Sequence, residues 1–263
     1  MPATLLDAIL AHSRQRAAKL HASRASLEAA CAVAAPIPDF ATALRRSTVA
    51  VIAEVKRRSP SLGPIDESVD PVRLAAEYVN GGSAAISVLT EPSRFGGSLE
   101  DLRRVSGSVD LPVLRKDFIV DLVQLLEARA SGAAAVLLIV RAMTPRELGR
   151  LHAEALGIGL GVLVEAHTAD EIRIALDAGA GVVGVNARDL DTLQIDCAGA
   201  WRMIETIPSD VIAVAESGMG SAADVAAAAS AGADAVLIGS ALVGAGNAEA
   251  SVRVMAGIVR RAR

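Results

Sequence analysis

From residue 49 onward, short apolar runs alternate with longer stretches whose apolar positions recur at helical spacing. The runs near 49–55, 84–89, 112–116, 134–139, 160–165, 181–185, 211–215 and 234–238 have the length and composition of buried strands. Each but the last is followed by a helix-compatible stretch, and a final helix is predicted near 248–261. Ahead of them, residues 4 to 30 carry helical spacing and no strand signal. Pro36 and Pro38 interrupt the chain, and a short helix is expected from Asp39 to Arg46. Strands that alternate with helices in this way form parallel βα units.

A recurring segment supports the count of eight. Asn80-Gly-Gly-Ser-Ala-Ala-Ile, Ala130-Ser-Gly-Ala-Ala-Ala-Val, Ala178-Gly-Ala-Gly-Val-Val and Ala231-Gly-Ala-Asp-Ala-Val share one plan, with a glycine ending a helix and small residues leading into a strand. The glycines at 82, 132, 179 and 232 are 50, 47 and 53 residues apart, a spacing of two βα units. Eight units repeating in pairs predict a closed (β/α)8 TIM barrel. An open doubly wound sheet is expected to place a glycine-rich dinucleotide loop after its first strand, and here that loop reads Arg57-Arg-Ser-Pro-Ser-Leu-Gly. Residues 1–263 are therefore read as one barrel domain, with 1–47 as an N-terminal helical extension.

Composition narrows the function. Apolar residues make up 52% of the chain but aromatic ones only 2%, so the core is built from Ala, Val, Leu and Ile, as suits strands covered on both faces. A net charge of −4 argues against a general nucleic-acid binder and leaves room for a local anion pocket. Cys31 and Cys197 lie in no CxxC pattern, so neither disulfides nor a zinc site is indicated. No secretory leader or membrane-length apolar run stands out, and the chain reads as soluble and cytoplasmic, with a monomer expected rather than an oligomer. Of its 26 basic residues only three are lysines, and two of these, Lys56 and Lys116, end strand-like runs beside arginines. Burial tunes a lysine to donate or accept a proton, whereas arginine stays charged.

In such barrels the active site lies at the C-terminal ends of the strands. Glu54 and Lys56, two apart, share one face of the first strand; the alternative is that Lys56 begins a solvated loop. Lys116 ends the third, its alternative being a salt bridge with Asp117. Glu165 ends the fifth, where a lone carboxylate is costly unless it is hydrogen-bonded or functional. Asn186 and Arg188 end the sixth; Arg188 offers a planar fork for a carboxylate, or else a surface bridge to Asp189 or Asp191. Glu216, Ser217 and Gly218 end the seventh, and Gly239 and Ser240 the eighth. Those last two ends form the usual phosphate site of the fold, to which Ser59 and Ser61 of the first loop can add hydroxyls. Phe95, Phe118, Leu138 and Leu89 are candidates for an apolar wall.

Together these strings resemble the indole-3-glycerol phosphate synthase family. The match runs through Glu54-Val-Lys-Arg-Arg-Ser-Pro-Ser-Leu-Gly63, Leu89-Thr-Glu91, Phe95-Gly-Gly-Ser98, Arg115-Lys-Asp-Phe-Ile119 and Leu137-Leu-Ile139. It continues in Leu163-Val-Glu165, Gly184-Val-Asn186 with Arg188-Asp-Leu190, Ala215-Glu-Ser-Gly218 and Leu237-Ile-Gly-Ser240. The family closes the ring of 1-(2-carboxyphenylamino)-1-deoxyribulose 5-phosphate, with loss of carbon dioxide and water. The resemblance implies Lys116 as general acid of ring closure and Glu165 as general base of the later dehydration, with Lys56 and Glu54 contacting the substrate. It further implies that Asn186 and Glu216 orient polar groups, with Arg188 near the substrate carboxylate. By the same resemblance, phosphate binding falls to Ser59, Ser217, Gly218, Gly239 and Ser240, and packing on the anthranilate ring to Phe95 and Phe118. No metal or organic cofactor is implied. Ala187 and Ala166 depart from the family pattern, standing where a second Asn and a branched residue are usual. Two other readings stay open on the residues alone: a Schiff-base aldolase with Lys116 or Lys56 as nucleophile, and a non-catalytic phosphometabolite-binding barrel.

Overall fold

The structure, a computed structural model, describes residues 4–60, 63–66, 68–243, 246–261 and 263. Eight strands close a parallel barrel: β1 (Ala50–Val55), β2 (Ala85–Leu89), β3 (Val113–Lys116), β4 (Ala135–Ile139), β5 (Gly161–Ala166), β6 (Val182–Asn186), β7 (Ile212–Glu216) and β8 (Ala235–Ile238). Each strand pairs with the next in sequence, and β1 pairs with β8 to close the ring. The expected (β/α)8 order and all eight strand positions are present.

Side chains alternate along every strand. Ala50, Ile52, Leu114, Leu137, Leu163, Val214 and Leu237 pack into the interior, while Val51, Ala53, Val55, Val136, Leu138, Val164 and Val236 pack outward beneath the helices. The outer layer comprises α4 (Pro71–Asn80), α5 (Pro92–Phe95), α6 (Leu99–Ser106), α7 (Leu122–Ala130), α8 (Pro145–Gly157), α9 (Ala169–Asp177), α10 (Cys197–Ile204), α11 (Ala222–Ser230), α12 (Ser240–Val243) and α13 (Ala248–Ala256). Gly82, Gly132, Gly179 and Gly232 all take positive φ, as the repeat predicts. Gly159 (φ +82°) does the same ahead of β5, so the device is not confined to alternate units.

The N-terminal extension forms α1 (Leu5–Leu20), α2 (Arg24–Ala32) and α3 (Phe40–Leu44). The helix expected over 4–30 is thus two helices separated by a tighter turn at His21–Ser23. Phe40 and Leu44 of α3 are fully buried and join the interior cluster. Gly161 makes that possible, because a Cβ there would sit 2.9 Å from the Phe40 Cβ. α1 lies at the other end, where Leu6, Ile9 and Leu10 pack with Phe118. Arg16 of α1 grips Asp117 with both guanidinium nitrogens, at 2.6 and 3.1 Å.

Two segments differ from the sequence reading. The last helix ends at Ala256 instead of 261: Gly257 caps it, and the tail returns so that the Ile258 carbonyl accepts from Val49 N at 2.8 Å. The loop after β1 folds into a small hairpin pairing Arg58 with Pro64 and Ser59 with Gly63.

One charged network lies beneath the helices. Arg115 on the outer face of β3 is among the largest fully buried side chains. It bridges Asp117 at 3.0 Å and Glu127 at 2.9 Å, and donates to the Gln124 carbonyl at 3.0 Å. Removing it leaves Glu127 without its ion-pair partner and Asp117 with Arg16 alone in a nearly dry layer. Arg115→Met is therefore expected to destabilise the fold by about 3–5 kcal/mol, read as a fall in the urea midpoint at unchanged slope.

Candidate active site

At the C-terminal ends of the strands a cavity of about 420 Å³ opens beneath α1. It is lined by Glu54, Lys56, Ser59, Phe95, Lys116, Phe118, Glu165, Asn186, Arg188, Glu216, Ser217, Gly218, Gly239 and Ser240. Every candidate from the sequence meets there except two. Leu138 faces outward, fully buried against the helices, because strand alternation turns Leu137 and Ile139 inward instead. The run Ala-Val-Leu-Leu-Ile is apolar on both faces, so its phase was not legible; the pairing of Ile139 with Glu165 across β4 and β5 settles it. Ser61 lies outside the described residues. Ala166 and Ala187, the two departures from the family pattern, are buried in the outer layer and do not line the cavity.

Lys116 occupies the centre. Its ammonium lies 3.1 Å from Glu165 Oε2 and 3.5 Å from Glu216 Oε2, both carboxylates nearly inaccessible to water. Asp117 is not its partner: alternation sends that carboxylate outward, to Arg115, Arg16 and Thr90. Lys56 is held 2.6 Å from Glu54 Oε1 and is only 14% exposed, so it does not begin a solvated loop.

Space for these carboxylates comes from two glycines. A Cβ on Gly184 would collide with Glu216 Oε1, and one on Gly239 with Glu54 Oε1. In each case a neighbouring strand gives up its inward side chain so that a carboxylate can fold into the ring.

Proton affinities follow from crowding three acids around one buried ammonium. Burial alone disfavours the charged lysine, but Glu165, Glu216 and Glu54 outweigh it and push Lys116 well above its ordinary value. Burial likewise works against ionised Glu165, yet Lys116, followed by His167, holds it down at about 2. Glu216 goes the other way, up to about 8, through burial and repulsion from Glu165, only partly offset by Lys116. At neutral pH the centre therefore holds an ammonium, one carboxylate and one neutral carboxylic acid.

The remaining walls carry an arginine, two phenylalanines and a tight turn. Arg188 donates to the Leu193 carbonyl at 3.1 Å and is bridged to Ile195; no ion pair with Asp189 or Asp191 is present among the described residues. Burial lowers its proton affinity without a carboxylate to offset it. Glu91, a buried carboxylate, caps α5 by accepting from Ser93, Arg94 and Phe95 N, and so fixes Phe95. Phe95 and Phe118 stand with ring centroids 6.2 Å apart and planes tilted by 36°. Opposite them, Ser217 (φ +66°) and Gly218 (φ +73°) turn the chain sharply after β7, the serine in a conformation unusual for a side-chain-bearing residue. Leu5, Leu6 and Ile9 of α1 and Leu190, Leu193 and Ile195 of the loop after β6 also line the cavity. Sequence reasoning missed these because their helical or loop pattern gives no clue to what lies opposite. It missed His167 too, which the alternation Leu163, Glu165, His167 would have placed inward.

Among solved structures, 3-hexulose-6-phosphate synthase from Salmonella typhimurium superposes with a TM-score of 0.66 at 16% identity, over 80% of this chain and 98% of that one. Tryptophan synthase from M. tuberculosis gives 0.60 at 16% identity, over 85% and 100%. These likenesses concern the fold alone. Sequence relatives are far nearer: indole-3-glycerol phosphate synthase of Leifsonia xyli subsp. xyli is 52% identical over 92% of this chain and 95% of its own length. The protein of the same name from Mycobacterium tuberculosis strain H37Rv is 48% identical over 95% and 93%. The family model described as indole-3-glycerol phosphate synthase matches residues 6–255. With that extent of match and that identity, the chain belongs to the indole-3-glycerol phosphate synthase family.

Proposed function

We propose that Lys116 is the general acid and Glu165 the general base of this enzyme, with Lys56, Glu54, Asn186 and Glu216 completing the machinery. The reaction is that of the family: a carboxy-lyase of tryptophan biosynthesis closes the ring of 1-(2-carboxyphenylamino)-1-deoxyribulose 5-phosphate to give indole-3-glycerol phosphate. The observation that carries the assignment of roles is the Lys116 ammonium buried between Glu165 and Glu216 at the floor of the cavity.

Ring closure joins the ring carbon that bears the carboxylate to the ketone carbon of the sugar chain. The ketone oxygen gains negative charge as the bond forms, and the Lys116 ammonium supplies its proton. Carbon dioxide then leaves, and its bonding electrons restore the aromatic ring. In the dehydration that follows, the hydroxyl departs as water with a proton from an ammonium of the pair Lys116 and Lys56. Glu165, kept ionised, takes a proton from the carbon beside the nitrogen. Glu216, kept neutral, has an O–H to donate, and Asn186 hydrogen-bonds Glu165. Ser59, Ser217, Gly218, Gly239 and Ser240 are assigned to the phosphate, Arg188 to the substrate carboxylate, and Phe95 with Phe118 to the aromatic ring. A lysine held protonated by its acidic neighbours, ionised Glu165 foremost, is a proton donor and a poor nucleophile, which weighs against a Schiff-base aldolase.

We further take residues 1–263 as one domain acting as a cytoplasmic monomer. The single-domain reading is supported by the tie of the N-terminal helices to the barrel through Arg16 and Asp117. Among the described residues no helix is long and apolar enough to cross a membrane.

Lys116→Met is expected to lower kcat for indole formation, followed by fluorescence, by roughly 10²-fold or more while substrate binding changes by less than about threefold. Substantial turnover in that variant would overturn the acid assignment, and borohydride trapping of a lysine adduct would favour the aldolase. A second expectation concerns pH. Glu216 binds its proton more tightly folded than unfolded, so its contribution to stability is full below about pH 4.5 and is lost as pH rises through about 8. Glu165, held at about 2, contributes fully and evenly above about pH 4.5. Glu216→Gln removes the falling term, and its stability relative to the parent should rise between pH 5 and 9 by on the order of 4 kcal/mol, measured by urea unfolding at both values.

A further inference from the structure

His167 follows β5 and precedes α9, and nothing in the reaction scheme above requires it. Yet its side chain is only 3% exposed and stands directly behind Glu165. Nε2 lies 3.5 Å from Glu165 Oε1, the oxygen not facing Lys116; Nδ1 lies 3.5 Å from Glu171 Oε2. Glu171 is itself anchored: it accepts from the His167 backbone N at 2.6 Å and from Arg141 Nε at 3.1 Å. Arg141 reaches on to Asp189 at 3.5 Å. A file of charged and polar groups thus runs from the cavity floor to the rim, Lys116, Glu165, His167, Glu171, Arg141 and Asp189, drawing on the ends of β3, β4, β5 and β6.

Neither imidazole nitrogen makes a hydrogen bond of ordinary length, although both are shielded from water. A buried polar ring left without partners is costly. Here an acceptor waits beyond each nitrogen, a few tenths of an ångström past hydrogen-bond distance. A core histidine retained for packing has no need of a carboxylate at both ends.

We propose that His167 is a positioning residue for Glu165: its Nε2–H engages Oε1 during turnover, fixing the carboxylate plane so that Oε2 faces the substrate. The inference rests on Glu165 being the general base. A donor on Oε1 also favours the ionised carboxylate, so its loss raises the pH at which Glu165 protonates. The other groups that bear on this carboxylate are Lys116 from β3, Glu216 from β7 and Asn186 from β6, while Glu171 from α9 and Arg141 after β4 bear on the imidazole. None of them is altered by substituting His167.

The test compares His167→Phe, which fills the site without a donor, with His167→Gln, whose amide reaches toward the Nε2 position. His167→Leu repeats the first in a smaller volume. For Phe or Leu, kcat is expected to fall about ten- to thirtyfold, part of the roughly 10²–10⁴-fold worth of a general base, with KM within about twofold. The acid limb of the kcat–pH profile should move to higher pH, and Gln should recover most of the loss. In a Glu165→Gln background, which by itself should remove turnover of the parent, His167→Phe should add no further loss. If Phe and Leu leave kcat and the acid limb unchanged while Glu165→Gln removes turnover, the inference on His167 falls alone. The same holds if Gln is impaired as much as Phe. If Glu165→Gln retains turnover, the base assignment falls and takes the inference with it.

Discussion

One buried ammonium organises this molecule. Lys116 sits where a charge is tolerable only with compensation, and the barrel supplies it from the ends of β1, β5 and β7. Lys56 balances Glu54, which leaves two acids for one cation, and the excess resolves by protonating the carboxyl with the weaker claim on the Lys116 ammonium. Glu216, farther from Lys116 than Glu165 and repelled by it, is the one that keeps its proton. A single cluster thereby holds an ammonium, a carboxylate and a neutral carboxyl at one pH. Arginine in place of the lysine would balance the same charge but release no proton.

Crowding of that kind needs room, and the barrel makes it by omission. Gly184 and Gly239 lack the inward side chains that other strands carry, and the carboxylates of Glu216 and Glu54 occupy the vacated volume. Deeper in the ring the interior is ordinary aliphatic packing, closed at the N-terminal end by Phe40 and Leu44. The scarcity of aromatic residues is consistent with this economy of space. Of the three phenylalanines in the chain, one plugs the base and two wall the cavity.

Adjacent residues serve separate networks because a strand presents its neighbours to opposite faces. In Arg115-Lys116-Asp117 the lysine enters the cavity, while the arginine and aspartate join the layer beneath the helices. That outer layer is not idle. Asp117 ties to Arg16 of α1, so the backbone that carries Lys116 also anchors the helix that roofs the cavity. Glu91 does similar service at the next strand, where its carboxylate caps the short helix that presents Phe95.

Much of this is written locally in the sequence. Strand positions, the glycine at each repeat and the residues ending each strand are short-range features, set by apolar period and turn stereochemistry within a few residues of sequence. The pairing of Glu54 with Lys56 is of the same kind, two positions apart on one strand. Leu138 marks the limit: in a run apolar on both faces, only the register against β5 decides which residues turn inward. Gly184 lies further beyond it, since a glycine making room for another strand's glutamate has no local signature, and the alternation that puts His167 in phase with Glu165 does not say how near the two side chains come. The sequence alone determined which side chains stand at the mouth of the barrel. Ring closure alone decided how near Lys116, Glu165 and Glu216 come to one another, and with it which of them hold a proton, because electrostatic coupling depends on distances between strands far apart in the chain.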